Sequence, residues 1–148
     1  MKNLFFMAGL VCVMASSVRG ADPSPNSATL IGSDKVAAAF AKGTTLVENK
    51  DFKVMCGHRE APGIVEIHAK DTDIFHIIEG TATFITGGTP VDVKDSGPGE
   101  QRAKEIKGGA AHQLHKDDVI IIPQGVPHWF KEVNGTFLYY VVKITDQK

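Results

Sequence analysis

An all-β sandwich or barrel is the fold class this sequence predicts. Three observations carry that expectation. Short apolar runs rich in Val, Ile, Phe and Tyr recur along the chain, Gly- and Pro-containing turn signals separate them, and only one early segment has the flanking residues of a helix.

The first twenty residues are set aside as a signal peptide. Lys2 gives a positive start, and Leu4 to Ala15 is an apolar stretch too short to span a bilayer as a helix. Val18-Arg-Gly20 offers small residues before cleavage at Ala21, with Ala15-Ser-Ser17 as a second choice and an uncleaved anchor as the alternative. The expected destination is periplasmic or secreted, with no membrane attachment after cleavage. Residues 21–32, containing Pro, Ser and Asn, read as a leader, and residues 33–148 as a single domain.

Within the domain, Ser33 or Asp34 caps a short helix, Lys35 to Lys42, which Gly43 ends. Val36, Ala39 and Phe40 share one face of it, and so short a helix must dock to be stable. From Thr44 the pattern becomes strand-like. Phe52 to Glu60 is one candidate, broken by Ala61-Pro-Gly63, and Ile64 to His68 is the next. Side chains alternate along a strand, so Val65 and Ile67 point one way and Glu66 and His68 the other. Lys70, Asp71 and Thr72 read as a turn. Asp73 to Ile78 is a strand, Glu79-Gly80 a bend, and Thr81 to Thr86 a further β run ended by Gly87-Gly88. Val91 to Gly109 reads as an extended rim loop with at most a short strand at Val91 to Val93. Val119 to Ile122 and Phe137 to Ile144 read as buried strands.

Composition narrows the function. The 148 residues are 43% hydrophobic with a formal charge of -1, ordinary for one globular domain. Without residues 1–20, 14 basic face 17 acidic side chains, formally -3. No basic stripe marks a nucleic-acid partner. One cysteine, Cys56, remains; it has no partner for an internal disulfide and lies in an apolar run, where a buried inert thiol is expected. No phosphate-cradling Gly-Lys loop and no Gly-x-Ser-x-Gly elbow is present.

Two stretches carry the chemistry. In the second, strand Val119 to Ile122 runs into Pro123-Gln-Gly-Val-Pro-His128. Pro123 has no N–H for a ladder, Gly125 permits a tight turn, and His128 is carried back over the barrel mouth. In the first, Glu66-Ile-His68 is followed by Asp73 and Gly80. Together they resemble the two motifs of the cupin superfamily over roughly residues 52 to 144. Glu66 stands where the family usually has the first histidine, Asp73 where it has Glu, Asp117 where it has Gly, and Glu132 where it often has Asn.

The resemblance implies a double-stranded β-helix, the cupin jelly roll, with a short N-terminal helix. It implies a divalent transition metal (Fe, Mn, Zn or Ni) held by His68, Asp73 and His128, with Glu66 as fourth ligand or general base. Imidazole suits Zn, Fe and Ni, and carboxylate oxygen suits Mn. Asp is one methylene shorter than Glu, so Asp73 reaches an ion only if its strand sits close. A small-molecule ligand or substrate is implied, with oxygenase, isomerase and decarboxylase chemistry all found in the family; a metal-free binding cupin is the alternative. His76 is out of phase with Asp73, and His58, His112 and His115 are expected outside the site. Phe75, Ile77, Trp129 and Phe130 are expected in the core or pocket wall, and one of Tyr139 and Tyr140 faces inward. An apolar outward face containing Ile74 and Ile78 suggests a homodimer.

Overall fold

Residues 27–146 are described by the computed structural model; the signal-peptide and cleavage expectations, and residues 21–26 of the leader, lie outside the described residues. The unit Ile31–Lys148 opens with α1 (Ser33–Lys42). Its N-cap is Gly32, without a side-chain cap, so neither Ser33 nor Asp34 has the expected role. Gly32 carbonyl oxygen instead accepts from the backbone N–H of Lys35 and Val36. Gly43, at φ 64, closes the other end. α1 is too short to persist alone. It docks through buried Ala39 and through Phe40, whose ring meets Tyr140 edge-on at 4.9 Å. His58 Nδ1 donates to the Phe40 carbonyl at 2.8 Å, fixing the helix to the sheet.

Eleven strands follow: β1 (Thr45–Glu48), β2 (Phe52–Arg59), β3 (Val65–His68), β4 (Asp71–Thr86), β5 (Thr89–Val91), β6 (Lys94–Gly97), β7 (Glu100–Ala103), β8 (Glu105–Lys107), β9 (Ala110–Leu114), β10 (Val119–Ile122) and β11 (His128–Thr145). The two long strands, β4 and β11, pair antiparallel and belong to both walls of the barrel. The first half of β4 pairs with β10 and with the second half of β11, which continues to β2 and β1. The second half of β4 pairs with β9 and with the start of β11, which continues through β3 and β7 to β6. The corner in β4 is Gly80, at φ 85; a Cβ there would stand 2.3 Å from the Thr136 carbonyl oxygen. Only glycine satisfies both demands.

The alternation of β4 and β11 fills the barrel. Phe75, Ile77, Phe84, Phe130, Phe137, Tyr139 and Val141 form its buried core. Aromatic rings dominate; Phe84 and Phe130 centroids are 4.6 Å apart. Tyr139 faces inward and Tyr140 outward against α1, as alternation requires. A second cluster, Val65, Ile67, Ile85, Ala103 and Ile106 with Trp129, lies on the opposite face of β3. The β5–β8 pair contributes Ile106 to it. β3 is therefore covered on both faces.

Three expectations are corrected. Asp71 and Thr72, read as part of a turn, belong to β4. The rim segment 91–109 contains β6, β7 and β8 rather than an extended loop. β10 buries only one face: Ile122 is 2% exposed, whereas Val119 and Ile121 are 60% and 61% exposed.

Candidate metal centre

The inward side-chain rows bring four ligand-type residues to one end of the barrel. On β4 the row Asp73, Phe75, Ile77 ends with the carboxylate. On β3 it is Glu66 and His68. His128 opens β11, registered opposite Glu66. His68, Asp73 and His128 are the buried polar residues among those described.

Their ligand atoms face one another. His68 Nε2 lies 3.5 Å from Asp73 Oδ2 and 3.6 Å from Glu66 Oε2. His128 Nε2 lies 3.7 Å from the same Asp73 oxygen and 3.9 Å from the same Glu66 oxygen. The two imidazole centroids are 5.2 Å apart. Ligands bound at about 2.0–2.1 Å around a tetrahedral ion stand about 3.4 Å from one another. The observed separations exceed that by a few tenths of an ångström. Asp73 thus comes as close as Glu66, and its shorter side chain is no obstacle.

The other nitrogen of each ring fixes which atom is free. His68 Nδ1 lies 2.8 and 2.9 Å from the two Glu100 carboxylate oxygens, so it donates there. His128 Nδ1 donates to the Val126 carbonyl at 3.0 Å. A neutral ring that donates from Nδ1 presents a lone pair at Nε2. Both Nε2 atoms are buried and have no hydrogen-bond partner. Two buried lone pairs facing two carboxylates want a cation. The residues present fit a divalent metal on that ground.

Charges around the site are arranged in pairs. Lys143 Nζ donates to both Asp73 oxygens at 2.7 Å. Arg102 donates to Glu100 at 3.1 Å and is registered opposite Glu66. Burial pushes the Glu66 carboxyl up, but the adjacent His68 and Arg102, with His128, outweigh it and hold it at about 2. Burial pulls His68 down, yet Glu66, Asp73 and Glu100 together leave it raised, against the opposing charge of Lys143. For His128 burial prevails and keeps the ring neutral below its ordinary range.

Glu100, Arg102 and Lys143 are the members the motif reading missed. Lys143 was accessible from alternation, since it follows Tyr139 and Val141 on the inward row. Glu100 and Arg102 fall in the segment read as loop. His68 Nδ1, Asp71 and Glu100 also lie close together. Asp71 Oδ1, however, accepts from the Thr145 hydroxyl at 2.8 Å, and Glu100 orients His68 in the way an outer carboxylate supports a metal-bound imidazole. The other histidines lie outside the site. His76 is exposed, His112 bonds Thr86, His115 faces Asp118, and His58 holds α1.

No family model matches the chain, and no curated protein matches it. Solved structures do. A Bacillus halodurans protein superposes at TM-score 0.57 and 13% identity over 86% of this chain and 89% of that one. The cupin domain of Schizosaccharomyces pombe Cnp3 gives TM-score 0.51 and 17% identity over 70% of this chain; the match spans only 60% of that chain. A double-stranded β-helix protein from Klebsiella pneumoniae gives 0.50 and 16% over 71% and 72%. The chain is a double-stranded β-helix. Its fold is that of the cupins, as the two motifs imply.

Proposed function

We propose that this cupin-fold chain binds a divalent transition metal inside its barrel and, beside it, a small molecule. The observation that supports the reading is the pair of buried, unpartnered Nε2 atoms of His68 and His128 facing the carboxylates of Glu66 and Asp73. Glu66, His68 and His128 offer ligand atoms that all lie within 4.8 Å of one another. Asp73 is a fourth, shared with Lys143. The ion, when bound, supplies Lewis-acid polarisation of an oxygen-bearing ligand. The chain's own residues do the rest. Glu100 holds His68 in the tautomer that offers Nε2, the Val126 carbonyl does the same for His128, and Lys143 fixes the direction of Asp73. Two imidazoles with carboxylates suit Fe, Mn, Zn or Ni.

The proposal includes export through residues 1–20, to be tested by sequencing the mature N-terminus. No helix among the described residues is long and apolar enough to cross a membrane. The metal is tested on protein purified without chelators or nickel affinity. Stoichiometric transition metal, lost in a folded His128→Ala variant, supports the reading. Metal-free protein whose small-molecule binding survives that substitution replaces it with a metal-independent binding role.

A further inference from the structure

The inward face does not stop at Glu66. Across the wall the register runs from His128 to Glu66, from Glu66 to Arg102, and from Arg102 to Lys94. Neighbouring strands lie about 4.8 Å apart, so each step moves the face by roughly that much. Ile64 immediately precedes β3 and Lys104 immediately follows β7. Lys94 and Arg102 line a cavity of about 350 Å³ together with Ile64, Asp92, Ala103 and Lys104, and Arg102, registered opposite Glu66, connects it to the metal centre.

Its charge is lopsided. Three cations face one carboxylate, on a chain whose formal charge is -1. Among the described residues, neither Lys94 nor Lys104 forms an ion pair. Arg102 spends Nη1 on Glu100 and on the Gln101 carbonyl, and its remaining N–H donors stay available. Ile64, 56% exposed, adds an apolar wall. Such a cavity has the size of a small-molecule site rather than a macromolecular surface.

We infer that this cavity is an anion subsite, in which Lys94, Lys104 and Arg102 hold the carboxylate or phosphate group of a small organic acid whose body lies on Ile64 and reaches towards Glu66. The inference deepens the proposed function by giving its ligand a class, and it takes from that reading only the location of the metal.

The test is an NMR titration of chelator-treated protein with inorganic phosphate, and in a separate series with succinate, at constant ionic strength. Saturable shifts are expected at the amides of Lys94, Arg102 and Lys104. The double variant Lys94→Glu/Lys104→Glu should weaken binding about tenfold or more, whereas Lys131→Glu, on exposed surface elsewhere, should change it by less than about twofold. Saturation by one probe alone identifies the group the cavity prefers. Linear drift without saturation, or equal loss in the Lys131 variant, overturns the inference. Repeating the titration with His128→Ala separates the two readings. Anion binding that persists there, whatever the metal result, leaves the subsite standing. Absent anion binding beside intact metal uptake removes the subsite alone.

Discussion

Lys143 and Asp73 stand opposite each other on β11 and β4, and the ammonium meets both carboxylate oxygens at 2.7 Å inside the barrel. Asp73 is 2% exposed and Lys143 16%. A carboxylate that deep is tolerable only when paired. The pair thus makes a potential metal ligand compatible with folding before any ion arrives.

Lys143→Met should leave that charge uncompensated. We expect a loss of roughly 3–5 kcal/mol in urea unfolding, the usual cost of breaking a buried pair from one side. Adding Asp73→Asn in the same chain should recover much of it. Equal destabilisation in the single and double variants would show that the lysine acts by packing instead.

Glu100→Leu removes the acceptor that holds His68 Nδ1 and leaves a side chain of similar bulk. Metal affinity should fall about 10–100-fold while thermal stability of the metal-free protein changes little. Competition against a chromophoric chelator measures the first, calorimetry the second. Unchanged affinity would mean that the bond does not orient the ring for an ion.

Acid should act on the centre with a sign that follows from the shifts. Glu66 falls from 4.5 to about 2, so its contribution to stability is present above pH 4.5 and lost as pH falls towards 2. His128, lowered, stabilises above its unfolded value of 6.5 and loses that contribution as pH falls through its folded value. His68, raised, behaves oppositely: its contribution is full below 6.5 and lost as pH rises through its folded value. An incoming metal competes with protonation of His68 Nε2, which its raised pKa favours. Metal affinity should therefore rise with pH across neutrality, with proton release measurable in buffers of different ionisation enthalpy. In metal-free protein, Glu66→Gln should flatten the acid limb between pH 4.5 and 2. An unchanged limb would place the acid sensitivity elsewhere.

The outer face of the first wall has an apolar row that the register makes continuous: Ile121 beside Ile74, Ile74 beside Val142, Val142 beside Val54. Ile121 at 61% and Ile144 at 48% are exposed. We propose that a second copy covers this face. Light scattering should give a dimer, and Ile121→Lys a monomer. A monomeric wild-type chain at working concentration would count against it.

Much of this was legible because strands alternate. The parity of Glu66 and His68 against Val65 and Ile67, and of Asp73 against His76, is what the barrel shows. The turn Pro123 to Gly125, with Gly125 at φ 76, carries His128 inward as its residue types imply. Gly80 was read as a bend and is the corner shared by two walls. What escaped had weak periodicity or a misleading one. β6 and β7 are short, polar and on the rim, so no hydrophobic pattern announced them, and Glu100 and Arg102 went with them. β10 is apolar on both faces, which reads as double burial, although one face lies outside the barrel. Lys143 sat at the end of an apolar run whose alternation was applied only to its tyrosines.

The most direct test is calorimetric titration of chelator-stripped protein with Zn²⁺ and with Mn²⁺, beside His68→Ala and His128→Ala variants that retain the fold. The account predicts saturable uptake of one ion per chain by the wild type, severely weakened in each variant. No saturable uptake, or uptake indifferent to both histidines, would contradict it.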